Sequence, residues 1–497
     1  MTKDREMGWA DVIYKYRLPI VFILAFIVML ICSPCSLLRK STSAVDVNCF
    51  IACAKYMWDG KVVYRDFFEQ KGLVLYLIYC VIYLFPNPFH GAFLVELVSI
   101  WVFLFYADKT LGVITSDEKI VRFLILVIVT INRCGLILIG TYNQTEGYSM
   151  PIIMYVIYLM TKYILKHEQV KKYQWFLLGL FSGLIFWAKF PVLIYAVPIF
   201  LVFLYQYIKE KQINMLGRMM GFGVLGFAIV SIFAMGYFVL NGAVKNLVDN
   251  YFIGNIFGYS DTLMLLLGEE NTRTYVVLTV LLNHYTIWFL IVAIILFWQK
   301  DGFIKCVTFC FIATVVVFCS LPHIIDYYTL ALLCWHPVLC IVLYQKAQHT
   351  PKLGQYAILF SYLVVTALLI FVWDYDHKST AGFEAKQNEW VELIEESGDT
   401  RVATINGMDH GFYYRLNYYP NKYYFTPVTV HYYDIVDSFV EDIESGDLAW
   451  VICFKRNLYN HTSESVDEVL GELEFVDEYH YDVEEEGFIL YKNPKAM

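Results

Sequence analysis

The chain has 497 residues, 59% of them hydrophobic and 17% charged, and its mean hydropathy is +0.53. Apolar runs close to the ~20 residues a helix needs to cross a bilayer core recur along it, which excludes a soluble globular protein and implies a polytopic membrane protein. The net charge of −9 conceals a division: residues 374–497 carry 9 Lys and Arg against 26 Asp and Glu, whereas residues 1–373 carry 28 against 20. The shift sets the expected domain boundary, with a transmembrane region at 1–373 containing an outer loop at 39–90, and an extracytoplasmic α/β domain at 374–497.

No cleavable signal peptide is expected, because MTKDREMGWADVIYKYR is long and polar and the apolar run after it can itself span. Lys and Arg collect on the cytoplasmic side of membrane proteins. Lys3, Arg5, Lys15 and Arg17 therefore place the N-terminus inside. Helix one, about Leu18–Leu38, runs outward to the loop 39–90. The apolar end of that loop, Gly72–Pro86, is read as a helix that dips into or lies along the membrane. Counting it as a span would put Lys109, Lys119 and Arg122 outside. Further spans are expected at Gly91–Lys109, Ile120–Gly140, Tyr148–Leu165, Trp175–Phe190 and Val192–Ile208. Others follow at Leu216–Leu240, Tyr275–Phe297, Phe303–Leu321, Thr329–Tyr344 and Gln355–Trp373. Eleven spans keep every inner loop basic and export the acidic tail.

In the tail, DTRVATIN, NKYYFTP, LAWVICF and GFILYK read as short strands. EWVELIEESGD and YYDIVDSFVEDIESGD read as amphipathic helices between them, a pattern that predicts a mainly parallel sheet. The tail shows no phosphate-binding glycine motif, no HExxH and no nucleophile elbow. It reads as a structural or acceptor-contacting cap.

The stretch Asp46–Gly72 mixes both signs of charge more densely than any other loop between apolar runs. Val47, Phe50, Ile51, Ala54 and Met57 share one helical face, and Asp46, Cys49, Cys53 and Tyr56 fall toward the other. This predicts a helix in the membrane interface, ended by Gly60. Asp46, three residues after Ser43, is either a capping-box acid or a general base that takes a proton from an attacking hydroxyl. Asp66 is either a second catalytic acid or the partner of a nearby Arg or Lys. Lys189, at a helix end, either snorkels to the interface or serves function as a membrane-edge charge. Arg65 and Lys71 are phosphate candidates, since Arg presents a fork to phosphate oxygens. His323, Asp326, Tyr327 and Tyr328 either line the same cavity or form an aromatic belt.

The twelve cysteines lie mostly in apolar runs, where Cys acts as a small apolar residue. Cys32/Cys35 and Cys49/Cys53 are the pairs near the outer face, candidates for a disulfide or a metal. Asn143 and Asn460 match glycosylation sequons, which also occur by chance.

Asp46 followed by Gly60-Lys-Val-Val-Tyr64-Arg65-Asp66-Phe67-Phe68-Glu69-Gln70-Lys71-Gly72 resembles the first outer loop of bacterial GT-C glycosyltransferases, including protein O-mannosyltransferases and the aminoarabinose transferase. TYNQTEGYSMP resembles their acidic second outer loop, and FLLGLFSGLIFWAKFP a glycine-bearing helix ending in Lys-Phe-Pro. The match covers roughly the first 200 residues, with layout alone beyond them. Leu73 stands where the family usually has proline, and Val47 where many members have a second acid. The resemblance implies a GT-C-like α-helical polytopic fold, with Asp46 as catalytic base and Glu146 as a second acid that places donor or acceptor. It implies Lys189, Arg65 and Lys71 as partners of a lipid phosphate, with Tyr64, His323 and Tyr327 as further substrate contacts. It allows a divalent metal at Glu146 without requiring one.

The expected function is an integral membrane glycosyltransferase. It moves a sugar from a polyprenyl-phosphate donor to a cell-envelope acceptor, whether glycan, lipid or protein, on the outer face of the cell membrane. Nucleotide sugars are cytosolic, so an outer site needs a lipid-linked donor. A lipid or solute transporter or flippase, and a polysaccharide polymerase, are the alternatives. A transporter should place ionisable residues at mid-helix around broken helices, whereas here they concentrate in outer loops and at helix ends. Membrane lipids are expected partners and nucleic acid is not.

Overall fold

The computed structural model describes residues 9–40, 44–135, 137, 142–258, 272–282, 286–321, 326–347, 364, 379–426, 428, 432–455, 464–480 and 487–496. The chain is a multi-pass membrane protein, mostly helical, with one small mixed sheet. Among the described residues, six helical stretches are long and apolar enough to cross a bilayer. They are Pro88–Ile114, Thr145–Lys166, Lys172–Tyr195, Ile213–Leu240, Gly302–Ser320 and Tyr327–Lys346. Arg17–Cys32 and Val197–Lys209 are shorter apolar helices at two other expected spans. The expected span at 275–297 is divided into Thr272–Leu282 and Thr286–Phe297. The expected eleventh span falls almost wholly outside the described residues.

Helices in chain order are α1 (Trp9–Lys15), α2 (Arg17–Cys32), α3 (Val45–Trp58), α4 (Leu73–Ile82) and α5 (Pro88–Ile114). Then come α6 (Lys119–Gly135), α7 (Thr145–Lys166), α8 (Lys172–Lys189), α9 (Val197–Lys209) and α10 (Ile213–Leu240). Chain contacts divide the fold into two compact units.

The first unit comprises residues 1–36, 94–232 and 275–374. Its helices approach closely where side chains are small, the usual device where apolar lipid gives no hydrophobic drive for association. A Cβ on Gly179 of α8 would overlap the carbonyl of Gly223 in α10, and one on Gly226 would overlap the carbonyl of Phe176. At one end of the unit Asp108 accepts two hydrogen bonds from Arg17, at 2.7 and 2.8 Å, and lies 3.3 Å from Arg122. This cluster ties the start of α2 to α5 and α6.

The second unit comprises residues 37–93, 233–274 and 375–497. It holds α3, α4, the π-helical stretch Leu247–Gly258 and a four-stranded sheet. The strands are β1 (Val402–Ile405), β2 (Trp450–Phe454), β3 (Glu474–His480) and β4 (Gly487–Lys492), in the order β1-β2-β4-β3. Only β1/β2 is parallel; β2/β4 and β3/β4 are antiparallel. That corrects the expected mainly parallel sheet. NKYYFTP forms no strand in its described residues. Its tyrosines and Phe425 instead fix it to the 60s loop: Phe68 N–H donates to the Tyr423 carbonyl at 2.8 Å, and Phe425 meets Tyr56 edge-on at 5.0 Å.

Candidate active site

In the second unit the site is built on α3. Gly60 follows this helix with φ +85, a left-handed turn suited to glycine. The N-cap is Ala44, with no side-chain cap bond, so Asp46 is the second residue of the helix rather than the acid of a capping box. An acid in that first turn is favoured by the helix dipole, and Asp46 is half-buried. The helix is covered by protein on both faces. Cys49, Cys53 and Tyr56 on its more polar face are as buried as Val47, Phe50 and Ile51. One reason is Tyr56, whose hydroxyl donates to the Pro420 carbonyl at 2.5 Å; another is Tyr79 of α4, edge-on to Phe50 at 5.1 Å. All twelve cysteines are free thiols in this structure.

The loop after α3 separates its charges into local pairs. Arg65 clamps Asp66 through two hydrogen bonds of 2.8 Å, while Asp66 also accepts from Val62 N–H at 2.7 Å. The Arg65 guanidinium holds the Asp66 carboxyl below its usual range. Tyr64 is fully buried with φ +65, and its ring stacks on Phe238 at 5.7 Å and on Tyr251 at 6.2 Å. Its hydroxyl donates to the Lys71 carbonyl. Lys71 is itself buried, its ammonium 3.5 Å from Glu69 and 6.0 Å from the Phe50 ring centre. Glu69 also accepts from the Lys71 backbone N–H at 2.8 Å and from the Tyr76 hydroxyl. Lys71 and Tyr64 thus meet in one buried knot with Glu69 and Tyr76.

In the first unit Glu146 lies in the first turn of α7, and Lys189 ends α8 just before Phe190–Pro191. The Lys189 ammonium donates to Glu146 Oε1 at 2.7 Å, with side-chain exposures of 10% and 3%. It lies 3.9 Å from the Tyr328 ring centre and 4.9 Å from that of Tyr327. Lys189 therefore does not snorkel; it is an internal cation held by an acid and two aromatic faces. His323 lies outside the described residues. A second buried pair, Arg133–Glu96 at 2.9 Å, lies beside this one. Glu96 accepts from Asn143 N–H at 3.2 Å, and Ser99 donates to the Gly147 carbonyl at 3.0 Å. A Cβ on Gly147 would come within 2.8 Å of Arg133. These contacts fix the segment that presents Glu146. Asn143 is buried with φ +51 and accepts from Tyr148, so this sequon is structural; Asn460 lies outside the described residues.

Neither protein-family models nor curated proteins give a match. Solved structures do. ArnT from Cupriavidus metallidurans, in the apo state and bound to undecaprenyl phosphate, superposes with a TM-score of 0.61 at 11% identity. The similarity covers 96% of this chain and 98–99% of ArnT. The chain has the GT-C fold. The Archaeoglobus fulgidus oligosaccharyltransferase, tethered with an acceptor peptide, gives a TM-score of 0.48 at 10% identity, over 97% of this chain and 74% of that one.

In this fold the structure marks three buried residues that the sequence motifs missed: Tyr76, Glu96 and Arg133. A signal for two of them was present. Glu96 and Arg133 interrupt apolar helices, where an ionisable side chain is costly without a partner. Among the described residues no three His, Cys, Asp or Glu gather as a metal cluster.

Proposed function

We propose that the chain is an integral membrane glycosyltransferase that moves a sugar from a polyprenyl-phosphate donor to a cell-envelope acceptor on the outer face of the membrane. The observation that supports this reading most is the GT-C fold over 96% of the chain, shared with an ArnT structure that holds undecaprenyl phosphate. In the proposed reaction Asp46 takes the proton of the acceptor hydroxyl as its oxygen attacks the anomeric carbon. The bond from that carbon to the phosphate oxygen breaks, and the polyprenyl phosphate leaves with the electron pair. Lys71 in the second unit and Lys189 in the first are each a candidate for the phosphate charge. Arg65 contributes less, because Asp66 already engages its fork. Asp66 keeps the turn and is not assigned a proton.

Glu146 is read as an acid that orients Lys189. The ammonium 2.7 Å away would oppose a divalent cation, so these residues do not fit a metal site. Activity indifferent to chelator is expected, and loss on chelation restored by added metal would overturn that assignment. The test of the whole reading is Asp46→Asn. General base catalysis typically contributes ~10²–10⁴-fold, so turnover of a polyprenyl-phosphate sugar should fall by that order with unchanged thermal unfolding. Asn keeps an oxygen acceptor in the first turn of α3, so a purely structural role predicts little change in turnover. Near-normal turnover would sink the base assignment.

A further inference from the structure

The second unit carries a cleft of about 660 Å³ that the proposed reaction does not use. That volume lies within the ~300–1,000 Å³ usual for small-molecule sites. One wall is Arg39 and Lys40, just beyond the first apolar helix; the other is Tyr414, Arg415 and Asn417, after β1. Both walls are fixed through their backbones. His90 Nε2–H donates to the Arg39 carbonyl at 2.7 Å and Asn87 to that of Lys40 at 2.9 Å. On the far side, Asp409 accepts from Gly411 and Phe412 N–H at 3.0 and 2.9 Å, which starts the helical turn ending at Arg415.

The charge in this cleft runs against its surroundings. The tail holds 26 acids and 9 bases. Among its described bases, Lys386, Arg401, Lys422, Lys455 and Lys495 each pair with a carboxylate, and Lys492 lies over the Trp450 ring. Arg415 is the exception among the described residues: its half-buried guanidinium has no ion pair, hydrogen bond or ring partner. Its neighbours across the cleft are Lys40, likewise unpaired, and Arg39, which gives Glu384 one hydrogen bond of 3.2 Å. Three cations thus face one carboxylate. A recessed cluster of one sign focuses the field and attracts a counter-ion, and a free Arg fork suits phosphate or carboxylate oxygens. The amides of Asn388 and Asn417 and the Tyr414 ring, held edge-on by Phe89 at 4.9 Å, add the hydrogen-bonding and flat surfaces that a sugar uses.

We propose that this cleft is an anion-recognition subsite for the acceptor, taking a phosphate or carboxylate borne by a saccharide or by a lipid headgroup. The word acceptor rests on the proposed glycosyltransferase reading; anion binding does not. The test is ligand-observed NMR on the full chain in neutral detergent, with glucose 6-phosphate, glucuronate and glucose as probes. The two anions should bind and glucose should not. Hydrogen bonds to charged groups are worth roughly 1.5–3 kcal/mol, so Arg415→Gln should weaken glucose 6-phosphate at least tenfold. Arg415→Lys should retain part of the binding, and Lys495→Gln should leave it unchanged. Equal binding by wild type and Arg415→Gln, or equal binding of glucose, overturns the subsite. Nanodiscs separate the two sources. If phosphatidylglycerol competes with glucose 6-phosphate in wild type but not in Arg415→Gln, the anion is a headgroup; without competition it is a saccharide. Asp46→Asn should bind the two anions as tightly as wild type does and, like wild type, not glucose, so a failure of the transfer reading and a failure of the subsite are distinguishable.

Discussion

Removing the Glu146 carboxylate should expose how much the Lys189 charge costs the fold. Glu146→Gln leaves an ammonium that is 10% exposed with an amide in place of its counter-ion. Deleting one partner of a buried pair typically costs about 3–5 kcal/mol. The Tyr327 and Tyr328 rings, 4.9 and 3.9 Å from the ammonium, remain to hold it. Those cation–π contacts are present in the wild type as well and do not offset the loss, so the expected loss is about 3–5 kcal/mol. Glu146→Gln combined with Lys189→Met removes both charges, and a buried pair exchanged for neutral groups is often neutral or stabilising. The double variant should therefore unfold at a higher temperature in detergent than Glu146→Gln alone. Donor use should behave differently. If Lys189 engages the carrier phosphate, the double variant regains stability without regaining dependence on the lipid-linked donor. Thermal unfolding and donor titration on the four proteins complete the cycle. Additive losses, with a coupling energy near zero, would refute the pairing on which this reasoning stands.

Three other outcomes follow from the fold. If the N-terminus lies inside and the tail outside, as the basic loops predict, cysteines introduced at Asp59 or Glu472 of a Cys-free protein should react with an impermeant thiol reagent on intact cells, and one at Lys171 should not; the reverse pattern inverts the orientation. Burial pushes the Asp409 carboxyl up to about 7 against the backbone N–H groups that favour its charge. Its folded-state value is thus above the unfolded ~3.9, so its contribution is complete below that value and is lost as pH rises through about 7. Unfolding curves of the full chain between pH 4 and 8 should show this loss, and Asp409→Asn should flatten it; equal slopes refute the assignment. Gly226→Ala should lower thermal stability by roughly 1–3 kcal/mol through overpacking against α8, whereas Gly236→Ala, with open space around it, should not.

Six of the eleven expected spans were legible, because length and apolar composition suffice to specify them. So was α3, marked by an acid in its first turn and by Gly60 at its end. Its environment was not. Alternation of polar and apolar residues reports a polarity difference between two faces, but Cys49, Cys53 and Tyr56 are neutral enough to be buried by protein. The tail shows the same limit from another side. Strand pairing depends on which segments meet at long range, and β3 went unread because EFVDEYH carries three acids that a largely exposed edge strand tolerates. NKYYFTP has the aromatic content of a strand, yet its rings serve contacts with Tyr56 and Phe68 instead.

The cations of the candidate site show why residue type was readable and arrangement was not. Arg65, Lys71 and Lys189 were each readable as candidate phosphate partners, but each has a carboxylate beside it: Asp66, Glu69 and Glu146. A cation withdrawn from water needs a counter-ion whether or not substrate is present. Two of these counter-ions lie one and two residues away and could be read from the local sequence. Glu146 lies 43 residues before Lys189, and only the packing of α7 against α8 brings them together. On the proposed reading the three pairs also differ in use. The exposed Arg65–Asp66 clamp is satisfied by its own geometry and has little reason to open. Lys71 and Lys189 are buried beside acids, so a donor phosphate can offer them what Glu69 and Glu146 offer now. Substitution of Asp66 should then disturb the loop more than the chemistry, while substitution of Glu69 or Glu146 should change how tightly the lipid phosphate is held.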